Sequence, residues 1–220
     1  LEHNGAKTVW LGLDAEGFVN LTQLETALAT RTKLLTLHHG QNEIGVVQDI
    51  KAISTLVRRH QPDALIHIDA IQSFLKVPVD FSMGVDLISI SGHKFGAPKG
   101  IGALILGPRF DNRKPKLEPL ILGSPQQSGI RPGTVPVPLI SSLVAAVEWG
   151  LENYDKNRAH MLSLRSKLVK GLPAKAIING PTNTSIDYAG RTPQTLNFSI
   201  PGFPSGMLIE AFSAKGICIS

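Results

Sequence analysis

An α/β fold with a largely parallel sheet is the class this sequence predicts, and two observations carry it. Over the first 106 residues, short runs rich in β-branched and apolar residues alternate with segments whose apolar residues recur at helical spacing. That is the pattern of strands joined by crossover helices. Polar residues also follow three successive predicted strands, and open α/β sheets bind ligands just beyond the carboxyl ends of their strands.

The elements follow in order. Residues 7–13 read as a strand. Asn20 is placed to cap a helix whose apolar face is Leu21, Leu24 and Leu28, with Gln23 three residues after the cap as in a capping box. Residues 33–38 form the second predicted strand. Ile50, Ile53 and Val57 recur at helical spacing and define the next helix. Strands are expected at 65–68, 86–90 and 101–106. The Pro- and charge-rich stretch 107–119 reads as a loop or linker. A long helical pattern follows over about 137–170, with Leu143, Val147, Leu151 and Tyr154 on one face. Residues 179–193 are turn-rich, 195–200 read as a strand, 207–215 as a helix and 217–219 as the start of a strand. The chain contains no internal repeat.

Composition narrows the function classes. The net charge of +5, from 22 Lys and Arg against 17 Asp and Glu, suits an anionic small ligand. The basic residues are scattered, and with two Tyr and two Trp there is no basic stripe with interleaved aromatics, so nucleic acid is not expected as a partner. The longest apolar runs, such as 34–37 and 103–106, fall far short of the ~20 residues a membrane-spanning helix needs, so no membrane partner is expected. The N-terminus lacks the basic segment and apolar core of a signal peptide. A single cysteine, Cys218, rules out an intrachain disulfide and permits a reducing compartment.

Parallel neighbours would gather three sets of polar residues in one crevice. Strand 33–38 runs into Asn42 and Glu43, strand 65–68 into Asp69 and Gln72, and strand 86–90 into Ser91, His93 and Lys94. Each has a plainer reading alone. Asp69 and Gln72 have capping-box spacing, Asn42 suits a turn, and most lysines are simply solvated. A lysine at the end of a buried strand can instead be desolvated, which lowers its pKa and frees the amine to attack a carbonyl. Lys99, in a PKGIG turn, is the competing lysine. A phosphate-binding P-loop motif is absent. His38, His39, His67, Asp69 and His93 could in principle serve a metal, but HExxH and paired cysteines are missing, and no metal is expected.

The segments HHGQNEIGVVQDI, HIDAIQSFLKVPVD, VDLISISGHKFGAPKGIGALIL and SGIRPGTVPVPLI resemble, in order and spacing, the cysteine desulfurase family of class V aminotransferase-like enzymes. These enzymes depend on pyridoxal 5'-phosphate (PLP). The resemblance implies a PLP-dependent transferase large domain, residues 1–145, and the beginning of a small α+β domain, residues 146–220. Lys94 would hold the cofactor covalently and move the substrate's Cα proton. Asp69 would pair with the pyridine nitrogen, so that the ring can act as an electron sink. Asn42 and Gln72 would bond the phenolic oxygen, and Ser91 and His93 the phosphate. Thr134 would reach the phosphate of the other subunit of a homodimer. His39 would lie near the cofactor with no assigned role.

The implied activity is release of sulfur from L-cysteine, giving alanine and an enzyme persulfide that passes to a sulfur acceptor or iron–sulfur scaffold protein. A related class V enzyme, such as a selenocysteine lyase or an aminotransferase, and a non-catalytic protein retaining the fold are the alternatives. The expected location is cytoplasmic, with an organelle left open. Family members are nearly twice as long. The resemblance therefore implies a partial chain, without the N-terminal region or the reactive-cysteine loop beyond Ser220, and expected to be inactive alone. LGSPQQSG before RPGT departs from the family's Gly-rich wording. Cys218 lies in the apolar run Ile217–Cys218–Ile219, which predicts a buried thiol unsuited to carrying sulfur.

Overall fold

The computed structural model describes residues 5–109, 117–182 and 190–220. Its centre is a four-stranded sheet of β1 (Leu34–His38), β2 (Leu65–Asp69), β3 (Leu87–Ser91) and β4 (Gly102–Leu106), in that spatial order. The first three strands are parallel, with His38 opposite Asp69 and Asp69 opposite Ser89. β4 runs antiparallel to β3, a departure the short connection 92–101 makes necessary, because a parallel return needs a crossover of a dozen residues or more.

Helices α1 (Leu21–Ala27) and α2 (Ile50–His60) cover one face of this sheet. Leu24, Leu28, Ile50, Ile53 and Val57 pack against Ile66, Ile68, Ile88 and Ile90 in one apolar cluster. Fully burying a side chain of this size stabilises the fold by about 1.5–3 kcal/mol. Below the cluster, the buried carboxylate of Asp86 accepts the Ile66 amide at 2.8 Å and pairs with Arg58. Arg58 also donates to the carbonyls of Ala64 and Gly84.

C-terminal to the sheet come α3 (Val137–Glu152), α4 (Tyr154–Gly171), the two-residue strands β5 (Ile177–Ile178) and β6 (Phe198–Ser199), which pair antiparallel, and α5 (Ser205–Ser213). α3 reaches the sheet side of the molecule through Gly150. A Cβ there would fall 2.6 Å from Leu75, which itself has a left-handed φ of 59°.

Several expectations are corrected. Residues 7–13 form no strand; Val9, Trp10 and Leu13 are exposed, and Leu13 makes only an isolated bridge to Val19. Asn20 caps α1 as expected, accepting from the Gln23 amide, but the Gln23 side chain accepts from Gly12 instead of closing a capping box. Leu21 is exposed, so the buried face of α1 is Leu24 and Leu28. The helical pattern 137–170 is two helices, broken at Asn153 (φ −105°, ψ 13°), and Leu151 is exposed, not part of a common apolar face. The strand expected over 195–200 shrinks to Phe198–Ser199. Residues 217–219 are not a strand and Cys218 is exposed, so burial gives no reason to exclude it as a sulfur carrier. Of the predicted linker 107–119 and turn-rich stretch 179–193, residues 110–116 and 183–189 lie outside the described residues.

Candidate functional site

Side chains alternate across each strand. On β2, Ile66 and Ile68 point into the apolar cluster, so His67 and Asp69 share the other face. The register extends that face to Thr36 and His38 on β1 and to Ser89 and Ser91 on β3. Of the predicted site residues, Asp69 and Ser91 therefore share this face at the edge where β1, β2 and β3 end.

Asp69 closes β2. Its Oδ1 accepts the Ile71 amide at 2.9 Å, and its carbonyl accepts the His39 amide. This is a two-residue Asx turn, so the capping-box reading with Gln72 does not apply. The second carboxylate oxygen of Asp69 takes no hydrogen bond among the described residues. Residues 70–77 then turn tightly, with Ser73 and Phe74 amides donating to the Ala70 carbonyl. Gln72 sits in this turn, and its carbonyl accepts from Lys76 Nζ at 3.3 Å and from Gln194 Nε2 at 3.0 Å.

Ser91 closes β3 and leads into a single 3-10 turn, Gly92–Lys94. Ser91 Oγ lies 3.0 Å from His93 Nδ1. His93 and Lys94 are both exposed, so the desolvation foreseen for Lys94 is not what this fold provides. The desolvated lysine is Lys76, whose amine burial, and secondly the Lys94 charge, push down to about 8. Gln72, Lys76 and Lys94 thus lie close together.

Asn42 follows β1 in a turn built on Gln41, whose Oε1 accepts the Glu43 and Ile44 amides. Gly45 (φ 76°) lets this turn close, because a Cβ there would fall 2.8 Å from Thr195. Asn42 itself is exposed. His39 has turned away from the edge: it is buried, its Nδ1 lies 2.9 Å from Ser73 Oγ, and burial pushes its pKa down to about 4. Thr134 is exposed, between the 3-10 turn Gln127–Gly129 and α3, and the structure does not bring it to this edge. Lys99 is also exposed, past the turn that holds Lys94.

Sequence reasoning missed six contributors, in three groups. Lys76 had no distinguishing local signal. Gln194, together with Arg191 and Thr192, grips the Asn42 and Gln72 turns from more than a hundred residues away. Thr36 and Ser89 bracket His67 at 2.7 and 2.8 Å; the shared face of the strands was a readable hint of that contact. Among the described residues no three His, Cys, Asp or Glu side chains are arranged to hold a metal ion, and no helix is long and apolar enough to cross a membrane.

Comparison with known proteins places this geometry. The model of the family Aminotransferase class-V matches residues 1–220. A mitochondrial cysteine desulfurase of Eremothecium gossypii is 39% identical over 90% of this chain and 39% of its own length. Cysteine desulfurase IscS of Vibrio campbellii is 38% identical over 100% of this chain and 52% of its own. Among solved structures, a NifS-like protein superposes with a TM-score of 0.89 at 32% identity, covering 100% of this chain and 57% of that one. DndA from Streptomyces lividans gives 0.81 at 31%, covering 97% and 58%. The chain spans about half the length of the curated relatives it matches. With its whole length matched by the family and its relatives sharing this architecture, the chain belongs to the aminotransferase class-V family, on its cysteine desulfurase branch.

Proposed function

We propose that the edge formed by β1, β2 and β3 binds PLP, and that the protein carrying this chain releases sulfur from L-cysteine. The observation that carries the reading is the convergence of Asp69, Ser91, His93 and Lys94 at the ends of adjacent parallel strands. The donor set fits the cofactor. Asp69 keeps one carboxylate oxygen for a protonated ring nitrogen, Lys94 presents an exposed amine to a carbonyl carbon, and the Ser91–His93 pair presents a hydroxyl and an imidazole to a phosphate. Asn42 and Gln72, on the flanking turns, supply amides for a phenolic oxygen.

PLP, when bound, supplies an electron sink for the pair left at the substrate's Cα. The chain's own residues do the rest. Lys94 Nζ would hold the cofactor and would serve as the base that takes the substrate's Cα proton. Asp69 holds the negative charge that keeps the ring nitrogen protonated. Burial, and secondly the charge of Lys94, loosen the hold of the neighbouring Lys76 on its own proton. Thr134 is assigned to the cofactor phosphate of a second subunit, which makes the protein a homodimer. The same reading divides the chain into a large domain, 1–145, and the start of a small one, 146–220, and gives it a cytoplasmic location and a sulfur-accepting partner protein.

The test is borohydride reduction of the purified protein after PLP is added, followed by peptide mass spectrometry. A visible absorption band that reduction abolishes, with a pyridoxyl adduct on Lys94, is expected. An adduct on Lys99 or Lys76, or no band at all, refutes the assignment.

A further inference from the structure

One continuous polar row links β1, β2 and β3 on the face that carries Asp69. Thr36 Oγ1 lies 2.7 Å from His67 Nδ1, and Ser89 Oγ lies 2.8 Å from His67 Nε2. The register makes this possible. Thr36 is directly opposite His67, and Ser89 is directly opposite Asp69, one same-face step further along. A single imidazole thus bridges three neighbouring strands. Each strand runs into a different part of the site: β1 into the Asn42 turn, β2 into Asp69, β3 into Ser91, His93 and Lys94.

The chemistry of the row is self-consistent. A neutral imidazole has one donor and one acceptor, and a hydroxyl can answer either. Burial pushes the His67 pKa down and the Asp69 charge partly offsets that, so the ring is neutral at pH 7 and leaves the Asp69 charge uncancelled. The opposite face of the sheet is held by apolar packing. On this face Leu34, Thr36, His38 and Leu104 are exposed, so the cross-strand hydrogen bonds fall to His67.

We propose that His67 is a positioning residue for Asp69: through Thr36 and Ser89 it sets the relative heights of the three strand ends and so aims the carboxylate at a cationic ring nitrogen. This rests on the PLP reading above. It assigns His67 no contact with substrate or cofactor.

PLP titration of the protein, followed by visible absorbance, tests it with His67→Leu, His67→Gln and the pair Thr36→Val/Ser89→Ala. His67→Leu is expected to weaken PLP binding about tenfold, the effect of one or two ordinary hydrogen bonds, and to move the band maximum. His67→Gln, able to keep one bond, should recover part of both. Adding His67→Leu to Thr36→Val/Ser89→Ala should change little further, because the row is already cut. Should His67→Leu not fold, the Thr36→Val/Ser89→Ala protein must still show the loss of affinity. A lower melting temperature with affinity and band unchanged would make His67 a structural residue only and overturn the proposal. A full additional loss in the Thr36→Val/Ser89→Ala background would overturn it too. Absence of any band in the unaltered protein would instead refute the PLP reading beneath it.

Discussion

Ile66 and Ile68 are fully buried beneath α1 and α2, while His67 and Asp69, which alternate with them on the same strand, look onto the other face. The two faces of β2 have different work. One is dry and joined by packing, which tolerates no unpaired polar atom. The other is polar and joined by hydrogen bonds, and it ends in a carboxylate with an oxygen to spare. The period of two along a strand is what lets stability and chemistry be built five residues at a time without interfering. A substitution on one face should therefore be read by one kind of measurement and leave the other nearly still.

The sharpest break is at the polar edge. Lys94→Ala should abolish borohydride-trapped cofactor entirely while leaving thermal unfolding close to that of the unaltered protein, because Lys94 is exposed. On the dry face, Ile68→Ala should cost about 2–5 kcal/mol in chemical denaturation, and wherever the variant folds its PLP band should be unmoved. Returning to the polar face, Asp69→Asn in the longer protein that carries this chain should cut turnover about a hundredfold, roughly 2.7 kcal/mol in the barrier, with cofactor absorbance largely retained. Turnover within a factor of about two of the unaltered protein would reduce Asp69 to a turn residue.

The effect of His39, on the buried side of the boundary, shows only in acid. Its pKa is about 4 folded, against about 6.5 in an unfolded chain. The unfolded state therefore binds the extra proton first. The stability associated with neutral His39 is intact above pH 6.5 and is lost as pH falls from there through 4, by about 3 kcal/mol in total. Denaturation midpoints measured across that window should fall for the unaltered protein and fall less for His39→Gln. Parallel slopes for the two would show that other groups govern the acid response.

This division also explains what could be read in advance. Short runs rich in β-branched and apolar residues exposed β1 to β4, and period-3.6 recurrence of Ile50, Ile53 and Val57 exposed α2, because in both cases the pattern is imposed by the shared apolar cluster. The edge residues were legible because strand ends are where polar residues cannot be explained by the core. Where burial is slight the signals failed. Residues 7–13 have strand-like composition, but Val9, Trp10 and Leu13 find nothing to pack against. Leu151 and Cys218 are apolar in sequence and exposed in the fold for the same reason. Lys76 and Gln194 escaped notice because their importance lies in contacts with Gln72 that no local pattern encodes.

The clasp on the Asn42 turn has a consequence in time. Val47 donates to the Gly190 carbonyl, Thr192 donates to the Gly45 carbonyl, and Arg191 donates to the Ile44 carbonyl, partners that lie 147 positions apart in the last case. At the usual pace of synthesis, ~5–20 residues per second, the turn leaves the ribosome roughly 7–30 s before the segment that fastens it. The nascent sheet can form and bury its isoleucines during that wait, while the Asn42 corner of the crevice stays open to solvent. The Asn42 corner is thus fastened late in the life of a newly made chain, well after the segments of its core have been made.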